Sequence, residues 1–288
     1  MSAYTDTLAE ALPPVAAATL PHVDAALNYL APMTERPRNY TYDPPPGVPR
    51  SNSVAETHVV PILSARPLAG EISLDREGFA LVHHQSAVRD FYDDDEVRRT
   101  YYAEAERVLK EATGARRVFV FDHTVRRRVL GGDDRTPGIP RQPATRVHVD
   151  HTVTSGPQRV RDLLGDEAEE LLRGRVQVIN LWRPIRGPLR DAPLAVCDAR
   201  SVAPGDLVPA DLVYRDRVGE IYGVTYNPRH RWFYVPEMQP DEALLLKCYD
   251  SATDGRARFA PHTAFEDPTA PVDAAPRESI ELRTFVFH

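Results

Sequence analysis

From residue 175 onward the chain is a series of short apolar, β-branched segments cut by proline, glycine and aspartate. "RVQVINLWRP" (175–184), "LAVCDARSV" (194–202), "IYGVTYNPRHRWFYVP" (221–236), "EALLLKCYDS" (242–251) and "SIELRTFVFH" (279–288) all have the length and composition of strands. Short strands at this spacing close into a sandwich or barrel, which covers their apolar faces and their edges together. The first half supplies the helices. "DDDEVRRTYYAEAERVLKEATG" (93–114) crowds acids into its first turn, repeats apolar residues at Val97, Tyr101, Ala105, Val108 and Ala112, and stops at Gly114. "GPQRVRDLLGDEAEELLRG" breaks into two short helices, while "HVVPILSARP", "GFALVHHQS" and "RRVFVFDHTVR" read as strands. The expectation is a mainly β protein with flanking helices, built on a double-stranded β-helix (a jelly-roll, cupin-like core) over residues 61–288. Residues 1–60 read as a partly irregular N-terminal arm, with a short helix over Asp24–Leu30 and then the proline-rich "YDPPPGVPRSNS".

Proline is abundant, 27 residues, against about 14 at ordinary usage. It removes a backbone donor and fixes φ, so the stretches 42–53 and 265–279 are connections, not strands. The net charge of −7 is spread along the chain and offers no basic face for nucleic acid or an anionic membrane. No apolar run approaches the roughly 20 residues of a membrane span. The first residues carry Asp6 and Glu10 and no basic region, which is unlike a secretory signal. Two cysteines, Cys197 and Cys248, are too few for a disulfide framework. These features predict a soluble, cytoplasmic protein with no nucleic-acid or membrane partner, and leave self-association open.

The chemistry concentrates in "RVHVDHTVT" (146–154). Residues i and i+2 of a strand share a face, so His148 and Asp150 converge and His151 points into the opposite layer. A His-x-Asp pair supplies two ligands of a 2-His-1-carboxylate triad, which leaves coordination positions of Fe(II) open. The pair is short enough to be a buried hydrogen-bonded couple with no metal, so a third ligand is required. His230, His262 and His288 lie downstream. Fifteen residues after His262 stands Arg277, followed by Ser279 on the same strand face; position 245, fifteen after His230, is Leu. "YNPRHRW" around His230 reads as a turn with solvated charge, and nothing follows His288. A permanently charged guanidinium beside a hydroxyl is suited to the distal carboxylate of 2-oxoglutarate. The preferred set is therefore His148, Asp150 and His262 for the metal, with Arg277 and Ser279 for the co-substrate.

Further candidates follow by position. Asn180 and Trp182 in "INLWRP" share a face, Asn180 towards the keto acid and Trp182 as pocket wall; Arg183, on the other parity, could reach a substrate carboxylate. Lys247 and Tyr249 share a face just before the His262 loop and are candidates for the oxoglutarate site. Arg283, on the parity of Arg277, is a rival anchor.

These segments also resemble a known family. "SLDREGFALV", "VFDHTVR", "VHVDHT", "INLWRPIRGPLRDAPLAVCDARSV", "EIYGVTYNPRHRWFYVPEM", "DEALLLKCYDS" and "APHTAFEDP…PRESIELRTFVF" are similar to the CmcJ/AsaB-like hydroxylase/desaturases, relatives of the 7α-cephem methoxylase. The resemblance runs from about Tyr42 to the C-terminus. It implies an Fe(II)/2-oxoglutarate-dependent dioxygenase of natural-product metabolism, with Fe(II), 2-oxoglutarate and O2 as cofactor and co-substrates. It carries the ligand roles onto His148, Asp150 and His262 and the oxoglutarate carboxylate onto Arg277. Two other readings stay open on the residues alone. One is a metal-dependent cupin-type enzyme or hydrolase without oxoglutarate; the other is a non-catalytic jelly-roll binding protein.

Overall fold

The computed structural model describes residues 20–132 and 138–288; the first 19 residues of the expected arm lie outside it. In chain order the strands are β1 (His22–Leu30), β2 (Arg38–Tyr40), β3 (Ala55–Ser64), β4 (Phe79–His83), β5 (Arg117–Arg127), β6 (His148–Val149) and β7 (Val176–Pro184). They continue as β8 (Leu194–Cys197), β9 (Leu207–Val213), β10 (Val218–Val224), β11 (Trp232–Tyr234), β12 (Glu242–Asp250), β13 (His262–Ala264) and β14 (Glu278–Phe287). One sheet of nine strands runs β1-β3-β11-β8-β13-β6-β10-β9-β2, and a second of five runs β4-β12-β7-β14-β5. Together they make the jelly roll that the strand spacing predicts.

The segment expected as a helix at Asp24–Leu30 is strand β1. Its alternating exposed and buried residues pair antiparallel along the whole of β3. Helix propensity in "DAALNYL" is overridden because Val23, Ala25, Leu27 and Tyr29 line one apolar face at period two. The large sheet curls so far that Asn28 of β1 bridges Arg146, and Val147 donates its N–H to the Asn28 carbonyl at 2.9 Å. Residues 22–64 are thus woven into the sheet.

Helix α1 starts at Asp94–Glu96, passes through a π turn at Val97–Tyr101 and continues as Tyr102–Thr113. Asp93 caps it by accepting from the N–H groups of Asp95 and Glu96, and Gly114 ends it with φ +69°. Val97, Tyr101, Ala105, Val108 and Leu109 pack on Val118, Val120, Ile179, Leu181, Ile280 and Leu282, the outer face of the five-stranded sheet. Each large side chain so buried contributes about 1.5–3 kcal/mol. Two shorter helices, α2 (Ser155–Leu164) and α3 (Ala168–Leu171), cover the end of the sandwich near β6.

Strand parity separates the two faces of the small sheet. On β14, Ile280, Leu282 and Val286 turn towards α1, while Phe285 and Phe287 turn inward. Strand β5 makes the same division only by means of a bulge. Arg283 pairs with Asp122 and Thr284 with Val120, so Phe121 is an extra residue. Before it, Phe119 and Phe121 pack with the inner apolar block; after it, Thr124 and Arg126 take the inward positions and His123 reaches Tyr102 on α1. The interior is therefore apolar at two ends, around Trp182 and Phe233 and around Phe285 and Tyr222, with a polar strip between them.

Candidate active site

His148 stands on β6 and His262 faces it on the adjacent β13, where the two are register partners. Their rings lie 4.5 Å apart, centroid to centroid. Asp150 follows two residues on, after the short β6 has ended. One ligand atom from each of the three residues lies within 4.8 Å of the others. Both imidazoles are oriented alike: Nδ1 of His148 donates to the Arg146 carbonyl at 2.8 Å, and Nδ1 of His262 donates to the Ala260 carbonyl at 3.1 Å. That fixes the tautomer and leaves each Nε2 lone pair for a metal.

The carboxylate is oriented too. Asp150 Oδ2 accepts from Asn180 Nδ2 at 2.7 Å and from Arg283 Nε at 3.3 Å, whereas Oδ1 lies 3.3 Å from His148 Nε2. One oxygen is thus engaged by the small sheet and the other faces the histidines. Burial opposes ionisation of Asp150, but His148 and Arg283 hold its carboxyl well below the usual range. Burial likewise disfavours charge on both imidazoles; Asp150 reverses this at His148, while the neighbouring His148 adds to it at His262. Two neutral-capable imidazoles and one ionised carboxylate, each with a supporting hydrogen bond, are a donor set that fits Fe(II).

Beside His148 and His262 a small cavity is lined by Trp182, Arg126, Arg277, Glu281, Arg283 and Thr263, among others. Arg277 is almost fully buried. Its Nε donates to Ser279 Oγ at 3.1 Å, its Nη1 to the Ala192 carbonyl at 2.8 Å, and its guanidinium stacks 4.9 Å from the Trp182 ring. Among the described residues no carboxylate pairs with this side chain. Burial, with Arg126 nearby, lowers its pKa to about 9. A buried cation with spare donors calls for an anion.

A family model described as "Oxidoreductase/YMDC permease-like domain" matches residues 27–287. The hydroxylase/desaturase efuI of Hormonema carpetanum is 38% identical over 80% of this chain and 84% of its own length. The Fe(II)/2-oxoglutarate-dependent dioxygenase nvfI of Aspergillus novofumigatus is 34% identical over 86% of the chain and 90% of its own. The chain belongs to the Fe(II)/2-oxoglutarate-dependent hydroxylase/desaturase family. A solved structure of the iron and alpha-ketoglutarate-dependent endoperoxidase NvfI superimposes on this oxygenase with a TM-score of 0.84, at 30% identity, covering 92% of this chain and 98% of the other. The hydroxylase/desaturase resemblance and the jelly-roll expectation agree with these findings. Fe(II), 2-oxoglutarate and O2 are the cofactor and co-substrates of such enzymes.

The oxygenase fold does not gather every residue expected at the site. Trp182 lines the cavity and Ser279 adjoins Arg277. Asn180 is turned to Asp150, not to a keto-acid position. Arg183 is on the outer face, held by the carbonyls of His84 and Pro240 and stacked over Phe91 and Tyr101. Lys247 is fully buried in a different place, with Nζ 2.7 Å from Asp75 and 2.8 Å from Asp250. Tyr249 packs against Gly156 and Phe259; a bulge between Lys247 and Tyr249 also breaks their shared parity. His230, expected as a solvated turn residue, is buried and bonded to Asp206 at 3.0 Å. His151 lies beside Phe121, and burial lowers its pKa to about 4, so it is neutral.

Arg126 is a charged residue lining the site that the sequence did not single out, and Arg283, expected as a rival anchor for the oxoglutarate carboxylate, instead ties Asp150 to Asp122, Thr124 and Glu281. Glu281 and Arg126 line the cavity beside it. The signal for Glu281 and Arg283 was available in "RESIELR", where Arg277, Ser279, Glu281 and Arg283 share one parity, but only register shows which of them meets the Asp150 carboxylate.

Proposed function

We propose that His148, Asp150 and His262 hold Fe(II), and that Arg277 and Ser279 hold the distal carboxylate of 2-oxoglutarate in an enzyme that oxidises a small molecule of natural-product metabolism. When bound, iron with 2-oxoglutarate and O2 supplies the oxidising chemistry, the co-substrate leaving as succinate and carbon dioxide. The protein's own part is placement. The Nδ1 hydrogen bonds place the proton of each neutral imidazole on Nδ1 and leave Nε2 for the metal, Asn180 and Arg283 keep Asp150 directed through Oδ1, and Trp182 fixes the plane of Arg277. The observation that carries this reading is the buried Arg277, with no acidic partner for its guanidinium among the described residues, in the same cavity as His148 and His262. A hydrolase or a metal-free binding module has no use for that cation.

The chain's acidic balance supports a small-molecule partner without nucleic acid or membrane, and its two buried free cysteines suit the cytoplasm. No helix among the described residues is long and apolar enough to cross a membrane. Whether copies of the chain associate is a matter for sedimentation. The test of the site is anaerobic titration of the metal-free protein with Fe(II) and 2-oxoglutarate. A visible charge-transfer band is expected, lost in His148→Ala and in Arg277→Ala; no band in the parent protein refutes the assignment.

A further inference from the structure

The cavity holds a second guanidinium without an acidic partner. Arg126 of β5 lines it together with Arg277, Glu281 and Arg283. Arg126 is the register partner of Ser279, and the pairing continues just before β14, where Arg128 donates its N–H to the Arg277 carbonyl at 2.8 Å. Directly opposed residues of an antiparallel pair share a face, and their diagonal neighbours lie about 7–8 Å away, within reach of long side chains. The diagonal neighbours of Arg126 are therefore Arg277 on one side and Glu281 on the other.

Donors exceed acceptors at this end of the cavity. Arg126 gives Nη1 to the Gln142 carbonyl at 2.7 Å, and among the described residues its Nε and Nη2 make no hydrogen bond or ion pair. Arg277 uses Nε on Ser279 and one N–H of Nη1 on Ala192, so a side-on fork through Nε is closed to a carboxylate. A carboxylate has about four acceptor positions, more than Arg277 fills by its remaining edge. The acids nearby are engaged elsewhere. Glu281 pairs with Arg283 at 2.5 Å, while Asp191 accepts the backbone N–H of Arg277 at 2.9 Å and the guanidinium of Arg128. Arg283 also binds Asp150, so the charges at that end are matched and the positive excess of the cavity sits with Arg126 and Arg277. Two guanidinia on one cavity wall, with no carboxylate between them, are ordered for an anion.

We propose that Arg126 is a second oxoglutarate-binding residue, closing on the distal carboxylate from β5 while Arg277 and Ser279 hold it from β14. The far end of the co-substrate is then read by two cations, one on each strand of the pair. This rests on Arg277 and Ser279 being the oxoglutarate anchor. An Arg126 that only pinned the following loop through Gln142 would be indifferent to which keto acid is bound.

The full chain loaded with Mn(II) is titrated calorimetrically with 2-oxoglutarate and with 2-oxovalerate, which keeps the keto acid end and the chain length but ends in a methyl group. The quantity read is the ratio of the two affinities, which a partial loss of folded protein does not move. Arg126→Gln is expected to weaken 2-oxoglutarate about tenfold or more and to leave 2-oxovalerate as in the parent, so the ratio falls; Arg126→Lys, which keeps the charge without the fork, lowers it less. An unchanged ratio in Arg126→Gln, whether neither affinity moves or both fall together, overturns the proposal. Arg277→Gln separates this outcome from the reading beneath it. If Arg277→Gln lowers the ratio and Arg126→Gln does not, the assignment of Arg126 alone falls. If neither lowers it, or the parent protein does not distinguish the two keto acids, the oxoglutarate anchor at Arg277 falls as well.

Discussion

Replacing Asn180 by alanine removes the shortest hydrogen bond to the proposed metal carboxylate, 2.7 Å to Asp150 Oδ2. Asn180 is fully buried, so water cannot take over its donor role without entering the sandwich. A hydrogen bond to an ionised group contributes about 1.5–3 kcal/mol. Arg283 still reaches the same oxygen, but at 3.3 Å and while shared with three other acceptors. The carboxylate can then swing, and the oxygen facing His148 is no longer defined. Loss of a group supporting a metal ligand typically costs about 10–100-fold in metal affinity. At about 1.4 kcal/mol per tenfold that is the same size as the hydrogen bond lost, so most of the effect should be visible as metal binding. Competition for Mn(II) against a fluorescent chelator measures it, with the melting temperature as a check that the sandwich is retained. A folded Asn180→Ala protein whose metal affinity is within about threefold of the parent would refute the claim that this contact sets the carboxylate.

Three other outcomes are expected. Lys247→Met removes the cation between Asp75 and Asp250; Arg175 still pairs with Asp250 at 2.7 Å, so the loss is at the lower end for a broken buried pair, about 3 kcal/mol by denaturant unfolding, while oxoglutarate affinity does not change. Gly156→Ala places a Cβ 2.7 Å from Tyr249 Cγ, and such overpacking lowers stability by about 1–3 kcal/mol; an unchanged melting temperature contradicts the close packing. His151 has an ordinary value of 6.5 when unfolded and about 4 when folded. The unfolded chain therefore binds the proton first, and stability falls as pH drops from 6.5 towards about 4; His151→Gln should flatten the melting temperature across that window.

The proposed metal residues, whose ligand atoms lie within 4.8 Å of one another, could be singled out because His-x-Asp, a distant His and Arg-x-Ser are each a local pattern, and their order along the chain needs no knowledge of register. The helices at 93–114 and 155–171 were legible from their caps and period. Lys247 was not, because its partner Asp75 is 172 residues away in sequence; parity says that two residues share a face, never which face. Arg183 and Trp182 differ by one position, and that alone sends one to the Phe91 and Tyr101 rings and the other to the cavity. His151 was assigned by strand parity, although the strand stops at Val149. Asp24–Leu30 was misread because alanine and leucine favour a helix locally, whereas the partner strand β3 begins 25 residues after the end of β1.

The extra residue in β5 makes the position of the chemistry a matter of counting. Everything after Phe121 is shifted by one relative to everything before it, so Thr124 and Arg126 face the cavity while His123 serves the helix. Substituting a residue beyond this point alters one contact, but deleting one exchanges the whole set, turning cavity residues towards α1 and helix-facing ones towards the cavity. Strand β5 should therefore accept changes of identity far more readily than changes of length.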